Sequence, residues 1–230
     1  MDDFTEADEY IAWATQELAR NGNPKICMTE SAPARKTISE YGDILESAMD
    51  EKPLQEFFTA HPEMLAHQLG PQCRWVIPKP QLGGKYEPDF MAARVNSGGL
   101  RWFGIELETP RIERLFTLKH GTESEKLREG LQQVKDWRHW IRHNMQTAQN
   151  GPHVGGVGLV GITDQFEGLV LIGRRRNATK DDQRRRQQIH WDQRTDIHSY
   201  DWITEQANGL VALSGNRQAD GCYECDVYGR

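Results

Sequence analysis

The sequence lacks any long hydrophobic run, and it has few cysteines. No stretch of the 230 residues approaches the apolar length that a membrane span requires. The acidic start, MDDFTEADEY, lacks the basic and apolar regions of a signal peptide. Four cysteines do not suggest a disulfide scaffold in a chain of this size. These absences predict a cytoplasmic protein with no membrane association.

The chain has no excess of basic charge, since 34 acidic residues against 28 lysines and arginines give a formal net charge of -6. This balance is a mild argument against nucleic-acid binding, because local basic patches matter more than the sum of charges. Hydrophobic residues make up 37% and charged residues 27%, which is ordinary for a globular protein. The length suits one sizeable core with an added helical segment, rather than two large domains.

The most informative stretch runs from Glu87 to Pro110 and reads as a β-hairpin. Residues 90–95 form the first predicted strand, residues 96–99 a glycine-bearing turn, and residues 101–107 the second strand. Because side chains alternate along a strand, Ile105 and Leu107 take one face. The other face of the second strand is then left to acidic residues.

Those acidic residues are Glu106 and Glu108, which share one face of the second predicted strand. Asp89 lies at the mouth of the partner strand, and the hairpin brings it back toward Glu106. Such a carboxylate cluster is costly unless a cation binds in it or one carboxyl stays protonated. Oxygen donors of this kind suit Mg²⁺ or Mn²⁺. The hairpin therefore predicts a divalent metal site.

The pattern resembles the PD-(D/E)XK phosphodiesterase motif, with Pro88 and Asp89 as its first half and Glu106-Leu107-Glu108 as its second. Glu108 stands where the motif has a lysine that orients the attacking water and offsets charge at the phosphorus. A glutamate serves only as a base or a metal ligand. The resemblance implies that Asp89, Glu106 and the main-chain carbonyl of Leu107 hold the metal and that Glu108 acts on the water.

The missing positive charge has several possible sources. Lys79 and Lys85 lie close to Asp89 in sequence, and Lys119 follows the second strand. No spacing argument chooses among them.

The segment LQEFFTAHP, which begins at Leu54, resembles the opening helix of the Shedu C-terminal nuclease domain. In the PD-(D/E)XK superfamily an acidic residue on that helix sometimes joins the metal site, which makes Glu56 a candidate and Glu51 a weaker one. A glutamate on a helix is more commonly a solvated helix former.

The longest predicted helix spans residues 122–145, with an apolar stripe along one face. Its segment QVKDW resembles the Gln-x-x-x-aromatic phrase that follows the catalytic strand in several PD-(D/E)XK nucleases. By that resemblance Gln133 supports the site, and Gln132 is the alternative register.

Two short apolar runs, residues 155–162 and 168–173, favour buried strands of a mixed sheet. The second run, together with Arg174, resembles the "VIIGR" strand of Shedu domains, and DIHSYDWITEQ resembles the end of the same domain. The arginine-rich span after residue 173 suits either DNA phosphates or ion pairs on a helix surface. The candidate phosphate contacts are Lys85, Arg111, Arg114, Lys119, Arg174, Arg175 and Arg176.

The Shedu resemblance covers residues 54–208 through several phrases in the same order. It implies a bacterial antiphage protein with an α/β PD-(D/E)XK restriction-endonuclease-like fold, a mixed sheet flanked by helices, and Mg²⁺- or Mn²⁺-dependent cutting or nicking of double-stranded phage or plasmid DNA. It also implies a homo-oligomer, a dimer or a tetramer. Residues 1–50 form a helical assembly or regulatory segment, residues 51–210 the nuclease-like domain, and residues 211–230 a tail.

Two alternatives compete with the nuclease. Because of Glu108, the protein is also compatible with a catalytically silent fold that binds DNA or a phage component and acts through assembly. A sugar hydrolase needs an acid and a base across a cleft, which two same-face positions of one strand do not provide. In the tail, Cys222 and Cys225 make at most half of a zinc site.

Overall fold

The computed structural model describes residues 6–23, 26, 33–69, 74–96, 99–119 and 121–214. Within them the helices are α1 Glu6–Arg20, α2 Arg35–Ser47, α3 Lys52–Ala60, α4 Glu63–Ala66, α5 Glu125–His143, α6 Met145–Gln149, α7 Lys180–Gln193 and α8 Asp201–Ser214. The strands are β1 Arg74–Pro78, β2 Phe90–Asn96, β3 Gly99–Leu107, β4 Glu167–Leu171 and β5 Thr195–His198. None of these helices combines the length and apolar character needed to cross a membrane.

The five strands form one mixed sheet in the order β1-β2-β3-β4-β5. The first three strands are antiparallel neighbours, and β3, β4 and β5 run parallel. Helices flank the sheet, so the predicted α/β class with a mixed sheet is confirmed. In sheets with parallel strands, ligands bind outside the carboxyl ends of those strands, which draws attention to the end of β3.

Each face of the sheet carries its own hydrophobic core. Helices α1, α5 and α7 contribute to one core through residues such as Leu18, Val134 and Ile189. Helices α2, α3, α4 and α8 cover the other face, where Tyr41 and Phe58 are fully buried. The sheet, with the acidic residues of the predicted hairpin, therefore lies between two layers of helices.

Local sequence signals set the ends of the longer helices. Ser124 caps α5 by accepting a hydrogen bond from the Leu127 N–H. Thr179 and Asp182 form a reciprocal capping box at the start of α7. A proline in the first turn begins α3, and the chain turns at His61 and Pro62 before α4.

The prediction of a strand over residues 155–162 is wrong. Gly155, Gly158 and Gly161 adopt positive φ angles, which breaks an extended chain. The segment is instead a loop whose apolar side chains are buried against the α5 side of the sheet. The Trp102 indole N–H donates to the Val160 carbonyl oxygen at 2.8 Å and fixes this loop to β3. The apolar run therefore predicted the burial of this segment correctly, but it did not predict its conformation.

The described helices of the N-terminal segment pack into both cores. Ala14 and Leu18 of α1 lie in the α5-side core, and Tyr41 of α2 lies in the opposite core. The Tyr41 hydroxyl also donates to the Tyr200 carbonyl at 2.9 Å. The proposed assembly or regulatory role of residues 1–50 stays a prediction.

Candidate metal and catalytic site

The candidate site lies where β2 begins and β3 ends, between α3 on one face of the sheet and α5 on the other. Pairing of Phe90 with Ile105 fixes the hairpin register and places Asp89 beside the last residues of β3. Glu106 and Glu108 face α5, whereas Ile105 and Leu107 belong to the opposite core. The alternation predicted for this strand is what brings the acidic side chains to one face.

Asp89 is held by contacts from two elements. Its Oδ2 accepts a hydrogen bond from the Leu107 N–H at 2.8 Å, which extends the hairpin ladder by one side-chain contact. Its Oδ1 accepts a hydrogen bond from the Gln55 amide on α3. The carboxylate is therefore fixed against the end of β3 by a backbone donor and a neutral side chain.

Glu106 is buried, and only one of its two oxygens is satisfied. Gln133 of α5 donates from Nε2 to Glu106 Oε1 at 2.5 Å. The other oxygen, Oε2, is buried and accepts no hydrogen bond from the described residues. An unsatisfied buried carboxylate oxygen is costly, so this atom marks a position suited to a proton or a cation.

Glu108 is buried under helix α5 at a glycine. A Cβ added at Gly130 would lie 3.2 Å from Glu108 Cγ and 3.1 Å from Val170 Cγ1. The main-chain carbonyl of Glu108 accepts the Tyr200 hydroxyl at 2.7 Å. Glycine in a helix interior weakens the helix, so its presence here is explained by the space that Glu108 occupies.

The three carboxyl groups all have raised pKa values, with burial as the largest cause. Burial raises the pKa of Asp89 to about 6, although the Leu107 N–H and the Lys79 charge oppose this. Burial together with the charges of Asp89 and Glu108 raises the pKa of Glu106 to about 9. The pKa of Glu108 rises to about 7. The pair Asp89 and Glu106 therefore retains a proton at neutral pH in the absence of a cation.

Two lysines act on this cluster. The Lys79 charge lowers the pKa of Asp89, and the Lys126 charge lowers that of Glu108. Lys126 is in the first turn of α5, where it also contacts Glu129 at 2.8 Å. Sequence reasoning missed Lys126 because it looked for a lysine near β2 and β3. Lys85 instead lies over the Tyr86 ring.

Helix α3 contributes Gln55 to the site, and not Glu56. Glu56 is exposed and has no contact with Asp89, whereas Gln55 contacts Asp89 directly. Glu51, four residues before Gln55, adds its charge to the environment of all three carboxyls. Residues four apart share a helix face, so Glu51, the weaker of the two candidates, lies on the side of Gln55 and Glu56 does not.

Two of the expected phosphate-binding arginines have structural roles instead. Arg174 is 8% exposed, donates to both carboxylate oxygens of Asp201, and contacts Glu46 Oε1 at 2.5 Å. Arg111 donates from Nε to the Ala48 carbonyl at 2.7 Å and so satisfies the end of α2. Their donors are already used to hold α2 against the sheet layer, which corrects the expectation of DNA contact.

The other basic candidates lie on the surface. Arg175 pairs with Glu205, and Arg176 lies 3.6 Å from Glu46 Oε2. The remaining three, which are all exposed, are Lys85, Arg114 and Lys119. Arg175 and Arg176 thus share their charge with acidic partners, but these partners belong to α8 and α2 and not to the helix-surface pairs that the sequence suggested.

The donor set fits a hard divalent cation held by two side chains. Asp89 and Glu106 offer carboxylate oxygens, including the unsatisfied Oε2 of Glu106, and burial and the neighbouring carboxylates make their charged forms costly without a cation. In the described part of the chain, no group of three or more His, Cys, Asp or Glu side chains is arranged to hold a metal ion. A third protein ligand would have to be a main-chain oxygen such as that of Leu107. Cys222 and Cys225 lie outside the described residues.

The chain matches the model of a known protein family. The model of the Shedu protein SduA C-terminal family matches residues 48–203, which is more than half of the chain and includes every residue of the candidate site. No curated protein matches the chain. The chain therefore belongs to the SduA C-terminal family of Shedu antiphage defence proteins.

Proposed function

We propose that this protein is a divalent-metal-dependent DNA endonuclease that cuts or nicks phage DNA. The observation that carries the proposal is the buried, unsatisfied Oε2 of Glu106 beside Asp89 at the end of β3. A buried Glu106 that retains a proton beside the Asp89 carboxylate is prepared to exchange that proton for Mg²⁺ or Mn²⁺. The proposal includes a cytoplasmic location and a homo-oligomeric assembly on double-stranded DNA.

Asp89 and Glu106 would hold the metal, with the Leu107 carbonyl as a further ligand. When bound, such an ion polarises a phosphodiester oxygen and lowers the pKa of water. Gln55 and the Leu107 N–H orient Asp89, and Gln133 orients Glu106. These contacts are made before any substrate arrives, so the side chains need little rearrangement.

Glu108 is suited to remove a proton from the attacking water. Its pKa of about 7 is close to the operating pH, which is where a general base works best. Lys126 places a positive charge close enough to lower that pKa. We infer that Lys126 partly replaces the lysine that Glu108 displaces from the motif.

The test is cleavage of supercoiled plasmid with Mg²⁺ or Mn²⁺. Asp89→Asn and Glu106→Gln keep the side-chain shape and remove the charge, so each is expected to lower the rate at least about 100-fold, as for loss of a group that acts in the transition state. Glu56→Gln, one position beyond Gln55, is the matched control and is expected to cut like the native protein. Equal cutting by all of these proteins would refute the site.

The second candidate is a silent nuclease fold that binds DNA or a phage component without cutting. The glutamate at position 108, where the motif has lysine, is the observation that favours it. Under this alternative the native protein retains DNA without turnover, and Glu108→Lys creates cleavage. Under the nuclease proposal the native protein cuts DNA, and the Glu108→Lys substitution is not required for cleavage.

A further inference from the structure

A second concave surface lies far along the sheet from the acidic cluster. It is a groove of about 930 Å³ between α7, the end of β5 and the start of α8. Strand β5 is the edge strand, two positions from β3 in the sheet. Its residues Ile197, His198 and Ser199 line the groove floor. The groove thus shares the carboxyl-terminal side of the parallel strands with the candidate site, but none of its residues.

Arg186 gives this groove an unused cationic group. The side chain is half-buried, and its Nε is buried without a hydrogen-bond partner among the described residues. Asp182 is the acidic group that acts on Arg186, but its carboxylate already accepts the Thr179 N–H at 2.7 Å. A guanidinium in this state gains charge-assisted hydrogen bonds when an anion with several oxygens binds.

The groove carries two further positive side chains and one carboxylate. Lys180, at the first position of α7, lines it and forms no ion pair with a described residue. Asp196 also lines it, and its Oδ1 lies 2.8 Å from His190 Nδ1, a contact that neutralises the carboxylate only when the imidazole is protonated. Arg175 lines it as well and is paired with Glu205 outside the groove. The cations without an ion pair among the described residues are therefore Arg186 and Lys180, and together they outweigh the single charge of Asp196.

Flat aromatic rings line the same groove. Trp191 is 78% exposed, which is unusual for so large an apolar side chain. The rings of His198 and Trp202 are stacked, with centroids 3.9 Å apart and planes inclined by 11°. Burial lowers the pKa of His198 to about 4, so this ring is neutral at physiological pH, and its stacking on Trp202 leaves Trp191 as the exposed tryptophan of the groove. Stacking rings beside a free guanidinium are the combination that binds bases and phosphates together.

We propose that this groove is a nucleotide-binding site, in which a base stacks on the Trp191 ring and a phosphate binds Arg186 and Lys180. The occupant is either a free nucleotide or a nucleotide of a single strand, since both present the same base and phosphate. Base pairs of an intact duplex are stacked on each other and do not offer a free ring face. The site requires neither the metal nor cleavage, so it does not depend on the proposed nuclease activity.

The test measures binding in EDTA, where no cleavage occurs. The probes are AMP, a fluorescein-labelled single-stranded DNA of about ten nucleotides and the duplex of the same sequence, at about 150 mM salt to suppress non-specific phosphate contacts. Tryptophan fluorescence reports AMP, and fluorescence anisotropy reports the DNA. The variants are Arg186→Gln and Trp191→Ala. Their matched controls are Arg184→Gln, an exposed arginine of α7 outside the groove, and Trp13→Ala, an exposed tryptophan of α1.

Each groove variant is expected to weaken binding of AMP or of the single strand about fivefold or more, as for loss of one stacked base or one charge-assisted contact. The control variants are expected to bind like the native protein. Binding of AMP identifies a free nucleotide as a sufficient ligand, and binding of the single strand alone identifies the strand as the source.

Three results would overturn the proposal. The first is no binding of either AMP or the single strand by the native protein. The second is equal weakening by Arg186→Gln and Arg184→Gln, which shows only general attraction to phosphate. The third is a duplex that binds as tightly as the single strand and is equally sensitive to Trp191→Ala. Thermal melting of each variant verifies folding, and Glu106→Gln, which is inactive under the nuclease proposal, is expected to retain groove binding.

Discussion

Replacing Glu106 by glutamine removes the carboxyl whose pKa is most strongly raised in the site. The pKa of Glu106 is about 9 in the folded metal-free protein, because the group is buried and lies beside Asp89 and Glu108. The pKa of a glutamate in an unfolded chain is about 4.3. The native state therefore retains a proton that the unfolded chain has lost over the window between these two values.

The sign of the effect follows from this difference in bound protons. A group with a raised folded pKa contributes stability that is present below the unfolded pKa and is lost as pH rises through the folded pKa. One extra proton in the native state lowers the free energy of unfolding by about 1.4 kcal/mol per pH unit. Over three units, from about pH 5 to about pH 8, the loss amounts to about 4 kcal/mol as an upper figure. Glu106→Gln is expected to lose much less stability over the same range.

Urea unfolding in EDTA at several pH values measures this difference directly. We expect Glu106→Gln to equal or exceed the native protein in stability at pH 8, although it removes the proposed metal ligand. Mn²⁺ is expected to stabilise the native protein more strongly as pH rises, because metal binding displaces the retained proton, and to leave the variant unchanged. Parallel pH dependences for the two proteins would refute the assignment of a protonated Glu106.

Three further changes test the surroundings of the site. Lys126→Met is expected to raise the pKa of Glu108 and so to move the acid limb of the pH-rate profile to higher pH. Lys135→Met is an exposed control on the same helix. An acid limb at the native pH would show that Lys126 does not act on Glu108. Gly130→Ala crowds Glu108 Cγ, so the rate of plasmid cleavage is expected to fall about tenfold. The free energy of unfolding in urea is expected to change by less than about 1 kcal/mol, since alanine is the better helix residue. Undiminished cleavage would contradict this. Arg174→Ala leaves Asp201 without its partner and is expected to cost about 3 kcal/mol in urea unfolding, whereas a loss near zero would contradict the structural role of this arginine.

Much of the fold follows from short-range patterns in the sequence. The hairpin register follows from alternation and a glycine-bearing turn, and this alone places Glu106 and Glu108 on one face. The ends of α5 and α7 follow from Ser124 and Thr179, whose side chains satisfy free backbone N–H groups. The hairpin depends on neighbours in sequence, which is why sequence reasoning reached it.

The features that sequence reasoning missed depend on contacts between distant segments. Gln55 and Glu56 differ by one helical position, and only the packing of α3 decides which of them meets Asp89. Arg174 looked like part of a basic surface because Glu46, its partner, lies 128 residues earlier in the chain. The loop over residues 155–162 has the apolar content of a buried strand, but its glycines adopt φ angles that a strand does not allow.

A crystal structure of the protein grown with Mn²⁺ tests the central claim most directly. The account predicts an anomalous peak between the carboxylates of Asp89 and Glu106, with oxygen ligands that include the otherwise unsatisfied Oε2 of Glu106. The same crystal form of Glu106→Gln is expected to show no peak there. A fully occupied manganese ion elsewhere in the native protein, with no peak between these two side chains, would contradict the account.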